Sequence, residues 1–152
     1  MIAFGRNAIF VTSVQFVAFF NVINLLMMTN LLYKEDVYDI VGVCMNIYNV
    51  LGYGFLEIVY KDVMEIEFLE NKILYIREKE FPIIYNEIKL KRTFFADFLL
   101  LDKIIVEVKA NGEGISTEVI SQTINYLKAS GCRVGLIINF GKNRLEYKRV
   151  VF

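Results

Sequence analysis

The chain has 152 residues, 56% of them hydrophobic and 22% charged, which gives one domain ample apolar surface and excludes a disordered or collagen-like chain. It contains no histidine, so Ser-His-Asp and Cys-His catalysis, histidine-ligated nuclease metals and most zinc enzymes are excluded. Its 17 Lys+Arg balance 17 Asp+Glu, leaving no overall field to draw nucleic acid, and the spacing of Cys44 and Cys132 excludes a structural zinc site.

Enzymatic chemistry here would have to rest on carboxylates, lysines, hydroxyls or a bound ion. The charge is unevenly placed. Arg6 is the only charged residue before Lys34, leaving 16 basic and 17 acidic groups in residues 34–152. Residues 1–33 therefore read as an apolar N-terminal extension, and residues 34–152 as the working domain. Within the extension, residues 8–28 hold 16 apolar residues out of 21 and no charge. That length just reaches the ~20 residues a bilayer span needs, but Thr12, Ser13, Gln15, Asn21 and Asn24 make it a poor one. Four readings stay open: an upstream segment with true initiation near Met27 or Met28, a membrane anchor or uncleaved signal, an extra element packed on the core, and a cleaved signal. The location expected is cytoplasmic, or membrane-associated if residues 8–28 are an anchor, and both cysteines suit a reducing compartment.

From Lys34 the elements can be taken in order. Val37, Ile40, Val41, Cys44, Ile47, Tyr48 and Leu51 recur at three- and four-residue intervals, which predicts a helix over 35–50. Gly52 and Gly54 mark a turn. A second helix is expected over about 55–71, with Leu56, Val59, Tyr60, Val63, Ile66 and Leu69 or Glu70 near one stripe. Residues 73–85 read as extended, and Pro82 suits an edge strand. Asn86-Glu87 is a turn, followed by more extended chain over 88–92. Residues 93–109 are aromatic and β-branched around an Asp-Lys tip, as in a hairpin. A helix over 116–130, ended by Gly131, leads to a strand at 132–139 apolar enough to be buried on both faces, and 144–151 supplies a last strand. The fold class is α/β, with helices flanking a mixed sheet.

Carboxylates interrupt the apolar hairpin. Asp97 sits in one strand, and Glu107 and Lys109 project to one side of the next, because side chains alternate along a strand. A charge on such a surface is costly unless paired or bound to a metal. Pairing with Lys109 at a sheet edge is the structural reading. The metal reading makes a geometric demand: Asp97 faces Glu107 only if paired positions sum to 204, which requires an odd loop, Leu101-Asp102-Lys103, or a bulge. A two-residue turn would set the carboxylates on opposite faces. Converging, two hard oxygen ligands suit Mg²⁺ or Mn²⁺, and Lys109 would offset charge that builds on a phosphate.

Asp97 followed by Glu107-Val108-Lys109 resembles the D…ExK core of the PD-(D/E)xK nuclease superfamily. Residues 54–60, GFLEIVY, resemble the GxxExxY protein family at Gly54, Glu57 and Tyr60. VEVKA at 106–110 resembles that family's ExK strand. QTINY at 122–126 is similar to the QxxxY motif of RecB-type exonucleases. The resemblance spans residues 34–152, with Ala96 in place of the usual proline before the aspartate. It implies a restriction-endonuclease-like α/β/α sandwich and a divalent-metal-dependent nuclease. Asp97 and Glu107 would be its metal ligands and Lys109 its catalytic lysine. Glu57 would supply a carboxylate from a helix, and Gln122 and Tyr126 would flank the site. The implied cofactor is Mg²⁺ or Mn²⁺. The implied partner is nucleic acid, DNA ahead of RNA.

Each flanking residue also has a plainer reading. Glu57 and Lys61 form a favourable i, i+4 pair, and Gln122 and Tyr126 share a helix face. Tyr60 reads as core and Gly54 as a turn residue. Lys142, Arg144, Lys148 and Arg149, like Lys89, Lys91 and Arg92, read as solvated charges that phosphates would also suit. The function that competes with hydrolysis is a nuclease-like fold that only binds nucleic acid or a protein.

Overall fold

The computed structural model describes residues 17–24, 27 and 32–152. The chain divides into two units, Met1–Leu32 and Tyr33–Phe152. In the first, residues 17–24 are helical. Most of segment 8–28, on which the anchor, signal and initiation readings rest, lies outside the described residues. Among those described, no helix is long and apolar enough to cross a membrane.

The second unit begins with helix α1, Lys34–Leu51, which buries Val37, Ile40, Val41, Val43, Cys44 and Ile47 at helical spacing. It stops at Gly52, whose φ of +69° is open to glycine at little cost and whose amide bonds back to the Tyr48 carbonyl. Helix α2, Glu57–Glu70, buries Tyr60, Met64 and Phe68. This differs from the stripe expected from the sequence, because Leu56, Ile66 and Leu69 are exposed. The aromatic residues decide the orientation: the Tyr60 ring stacks on Phe140 at 4.4 Å and Phe68 meets Phe98 edge-on at 5.5 Å.

Five strands follow: β1 (Tyr75–Tyr85), β2 (Ile88–Leu100), β3 (Ile104–Lys109), β4 (Val134–Asn139) and β5 (Glu146–Val151), with helix α3 (Thr117–Ser130) between β3 and β4. The sheet order is β1-β2-β3-β4-β5, parallel only between β3 and β4. Pro82 therefore lies in an edge strand, at a break in register. Every residue of β4 is buried, as its nearly continuous apolar run predicts.

Helix α3 starts at Ser116, whose hydroxyl accepts from the Val119 amide, and ends at Gly131 with φ +75°. Its Tyr126 and Leu127 pack on Ala96, Leu99, Ile105, Ile137 and Val150. Gly135 is what admits the helix so closely, since a Cβ there would lie 2.5 Å from Thr123 Cγ2. With Phe68 of α2 on Phe98 from the opposite side, the result is an α/β/α sandwich around a mixed sheet.

Candidate active site

The β2–β3 hairpin carries the two strand carboxylates. Its register pairs Phe98 with Val106, Leu99 with Ile105 and Leu100 with Ile104, so every pair sums to 204. The loop is the odd one, Leu101-Asp102-Lys103, with Leu101 and Asp102 at φ +54° and +55°. The paired ladder ends at Phe98↔Val106, one step short of an Asp97–Glu107 pair. A single bond carries the contact further: the Val108 amide donates to Asp97 Oδ2 at 2.7 Å.

Strict alternation along β2 does not hold through Asp97. Ala96 and Leu99, three residues apart, lie in one core cluster, while Phe95 is exposed. The pairing with β1 steps from Arg77↔Phe98 to Lys79↔Ala96, passing over Glu78, which has φ +50°. The pleat is broken at Asp97, and its side chain turns to meet both the next strand and helix α2.

Glu107 and Lys109 share a side, as their spacing predicts, with Lys109 Nζ 2.6 Å from Glu107 Oε1. The pair lies on an inner strand of the sheet, but at its C-terminal end, beyond the last β2 partner at Val106, where only β4 continues the ladder. The Glu107 side chain is 4% exposed, and its Oε2 is buried without a hydrogen-bond partner. Burial first, and the neighbouring Asp97 charge second, push the Glu107 carboxyl up to about 7, against the opposing pull of Lys109. The Lys109 ammonium is raised although burial alone would lower it, through its bond to Glu107.

Helix α2 contributes Glu57 from its first turn. Lys61 Nζ lies 2.9 Å from Glu57 Oε1 and 2.5 Å from Asp97 Oδ1. The Glu57–Lys61 pair is thus more than a solvated helix bridge: it reaches across to the sheet, and the Lys61 side chain is only 12% exposed. Sequence reasoning missed this contact. The visible signal was a lysine flanking the buried Tyr60–Met64–Phe68 line, but nothing local identifies a partner 36 residues away.

Helix α3 brings Tyr126, buried beneath Phe94, and Gln122, whose amide donates to the Tyr126 hydroxyl at 2.5 Å. Burial raises the Tyr126 hydroxyl's pKa, and the Glu107 charge adds to the effect, which places the phenol within its field. Tyr60 belongs to the core: its hydroxyl donates to the Gly52 carbonyl and accepts from the Phe55 amide, tying down the turn before α2. Gly54, with φ +107°, is a turn residue.

Three carboxylates and two ammonium groups thus meet where β2, β3 and α2 converge. Among the described residues no group of three or more His, Cys, Asp or Glu is placed to hold a metal ion. The donors that do suit an ion are Asp97 and Glu107, the latter with a buried oxygen lacking a partner. Two hard oxygens favour a cation that keeps much of its water, as Mg²⁺ does.

A mixed sheet between helical layers, with carboxylates and a lysine at the break of a central hairpin, defines an α/β restriction-endonuclease-like domain. The chain belongs to the PD-(D/E)XK nuclease superfamily, whose profile matches residues 34–150. The solved crystal structure of SSO0001 is similar to it, at 16% identity and a TM-score of 0.49, over 78% of this chain. The chain covers 59% of the length of that protein. No curated protein matches the chain.

Proposed function

We propose that residues 34–152 form a divalent-metal-dependent nuclease that hydrolyses phosphodiester bonds in DNA or RNA, DNA ahead of RNA. The observation that carries this reading is the buried, unpartnered Oε2 of Glu107 beside Asp97. An acceptor left bare in a buried position is costly, and a cation would relieve that cost. Asp97 and Glu107 would hold Mg²⁺ or Mn²⁺. Bound there, such an ion supplies Lewis-acid polarisation of a phosphate oxygen and acidifies water.

The remaining roles fall to this chain's own side chains. Glu107 must be ionised to act as a ligand, and Lys109, donating to Oε1, pulls toward that form against burial and the Asp97 charge. The same ammonium, 20% exposed, is a donor for negative charge developing on the phosphate. Glu57 extends the carboxylate set from α2, and Gln122 with Tyr126 flanks it from α3. The free thiols of Cys44 and Cys132 suit a reducing compartment, and we place the protein in the cytoplasm, with any membrane association coming through residues 8–28.

The test is cleavage of DNA and of RNA by the full chain, with Mg²⁺ and with chelator. Metal-dependent cleavage is expected, falling about 10²-fold or more in Lys109→Ala. Cleavage retained in both Lys109→Ala and Asp97→Ala would remove these residues from the mechanism. A second reading, a non-catalytic nucleic-acid or protein binding module, is favoured by the lack of a three-ligand cluster among the described residues. Salt-dependent binding without metal-dependent turnover would support it.

A further inference from the structure

We propose that Lys61 is the internal counter-cation of the metal-free site, a positioning residue that a divalent ion displaces from Asp97. The inference rests on the metal-site reading above and goes beyond it. The two strand carboxylates are not equally open. Glu107 is held through Oε1 by Lys109, and its Oε2 has no partner. Asp97 is engaged at both oxygens, Oδ2 by the Val108 amide and Oδ1 by Lys61. The Val108 bond comes from the backbone of a central strand and stays. The Lys61 bond comes from a flexible four-carbon stem and can move.

A divalent ion drawn to Asp97 and Glu107 meets the Lys61 ammonium at Oδ1, and like charges at one oxygen repel strongly in a site this buried. Lys61 has somewhere to go. Glu57, one helical turn earlier and 38% exposed, already bonds it at 2.9 Å. The ammonium can leave Asp97 without losing its ion pair. Glu57 then serves as the carboxylate that receives Lys61. In the metal-free protein Lys61 neutralises Asp97 and holds α2 against β2; in the loaded protein it is paired with Glu57 alone. Metal affinity is therefore set partly by a competitor built into the chain.

The test measures Mn²⁺ binding to the full chain by electron paramagnetic resonance of the free ion, so that no turnover is needed. Lys61→Met removes the competing charge while keeping the stem, and Lys61→Gln keeps a donor without the charge. Lys34→Met, at an exposed position on α1, controls for overall charge. Mn²⁺ should bind roughly tenfold tighter in Lys61→Met than in wild type, with Lys61→Gln between them and Lys34→Met unchanged. A lysine with a merely structural role would weaken the site on removal. Equal or weaker Mn²⁺ binding in both Lys61 variants, with Asp97→Asn still abolishing binding, would overturn the inference alone. No Mn²⁺ binding by wild type or by either Lys61 variant would overturn the metal-site reading and this inference together.

Discussion

The Val108 amide donates to Asp97 Oδ2 at 2.7 Å, and this bond joins the two halves of the candidate site. Asp97 stands where its own strand breaks pleat, and Val108 lies between Glu107 and Lys109. The bond therefore sets the aspartate beside the next strand's charged pair. It also keeps two carboxylates close together in a buried place, an arrangement that costs stability and is common where function demands it.

That cost should be visible as a pH dependence. Glu107 holds its proton up to about 7 in the folded chain against a reference of 4.5. Between those values the native state binds more protons than the unfolded state, so stability falls as pH rises from about 4.5 to 7 and levels off above. Glu107→Gln should flatten this segment and raise stability by roughly 1–3 kcal/mol at pH 8 without metal. Urea unfolding at several pH values checks it, and an unchanged slope in the variant would contradict it.

Metal should reverse the penalty. Mn²⁺ at about a hundred times its dissociation constant should stabilise the wild type by about 2.7 kcal/mol. Glu107→Gln and Asp97→Asn should lose most of that gain. Because Glu107 must be ionised to bind, affinity should climb with pH up to about 7 and plateau above it. Thermal melts across a Mn²⁺ series at pH 6 and pH 8 would show both effects.

Helix α3 depends on one small residue. Gly135→Ala would place a methyl 2.5 Å from Thr123 Cγ2 and push the helix off the sheet. A loss of about 1–3 kcal/mol is expected. The displacement would also unbury Tyr126 and carry it away from Glu107, so the phenol's raised pKa should relax, as ultraviolet titration of tyrosinate would report.

Tyr60 gives the contrasting case. Tyr60→Phe keeps the stack on Phe140 and removes the hydroxyl's bonds to Gly52 and Phe55. About 1 kcal/mol should be lost in urea unfolding, with metal affinity unchanged. A large fall in Mn²⁺ affinity would mean that the tyrosine acts in the site after all.

Much of this architecture is legible in the sequence because it is written at short range. The odd loop is one of the two forms, with a bulge, that asking Asp97 to face Glu107 requires, and the alternation of Glu107 with Lys109 needs only the pitch of a strand. The nearly continuous apolar run of β4 announces a strand buried on both faces. What was not legible depends on long-range packing. The buried line of α2 is chosen by Phe98 and Phe140, not by the helix's own apolar count. The break at Asp97 involves a non-glycine residue, Glu78, at positive φ, which no local pattern marks. Lys61 reads as half of a helix pair until tertiary structure sets Asp97 against it.

The proposed nuclease stands or falls with one divalent cation shared by Asp97 and Glu107. A crystal of the full chain soaked in Mn²⁺ and measured at the manganese absorption edge tests it most directly. An anomalous peak is expected within ligand distance of Glu107 Oε2 and an Asp97 oxygen. Manganese bound elsewhere, with Glu107 Oε2 still bare at saturating Mn²⁺, would contradict it.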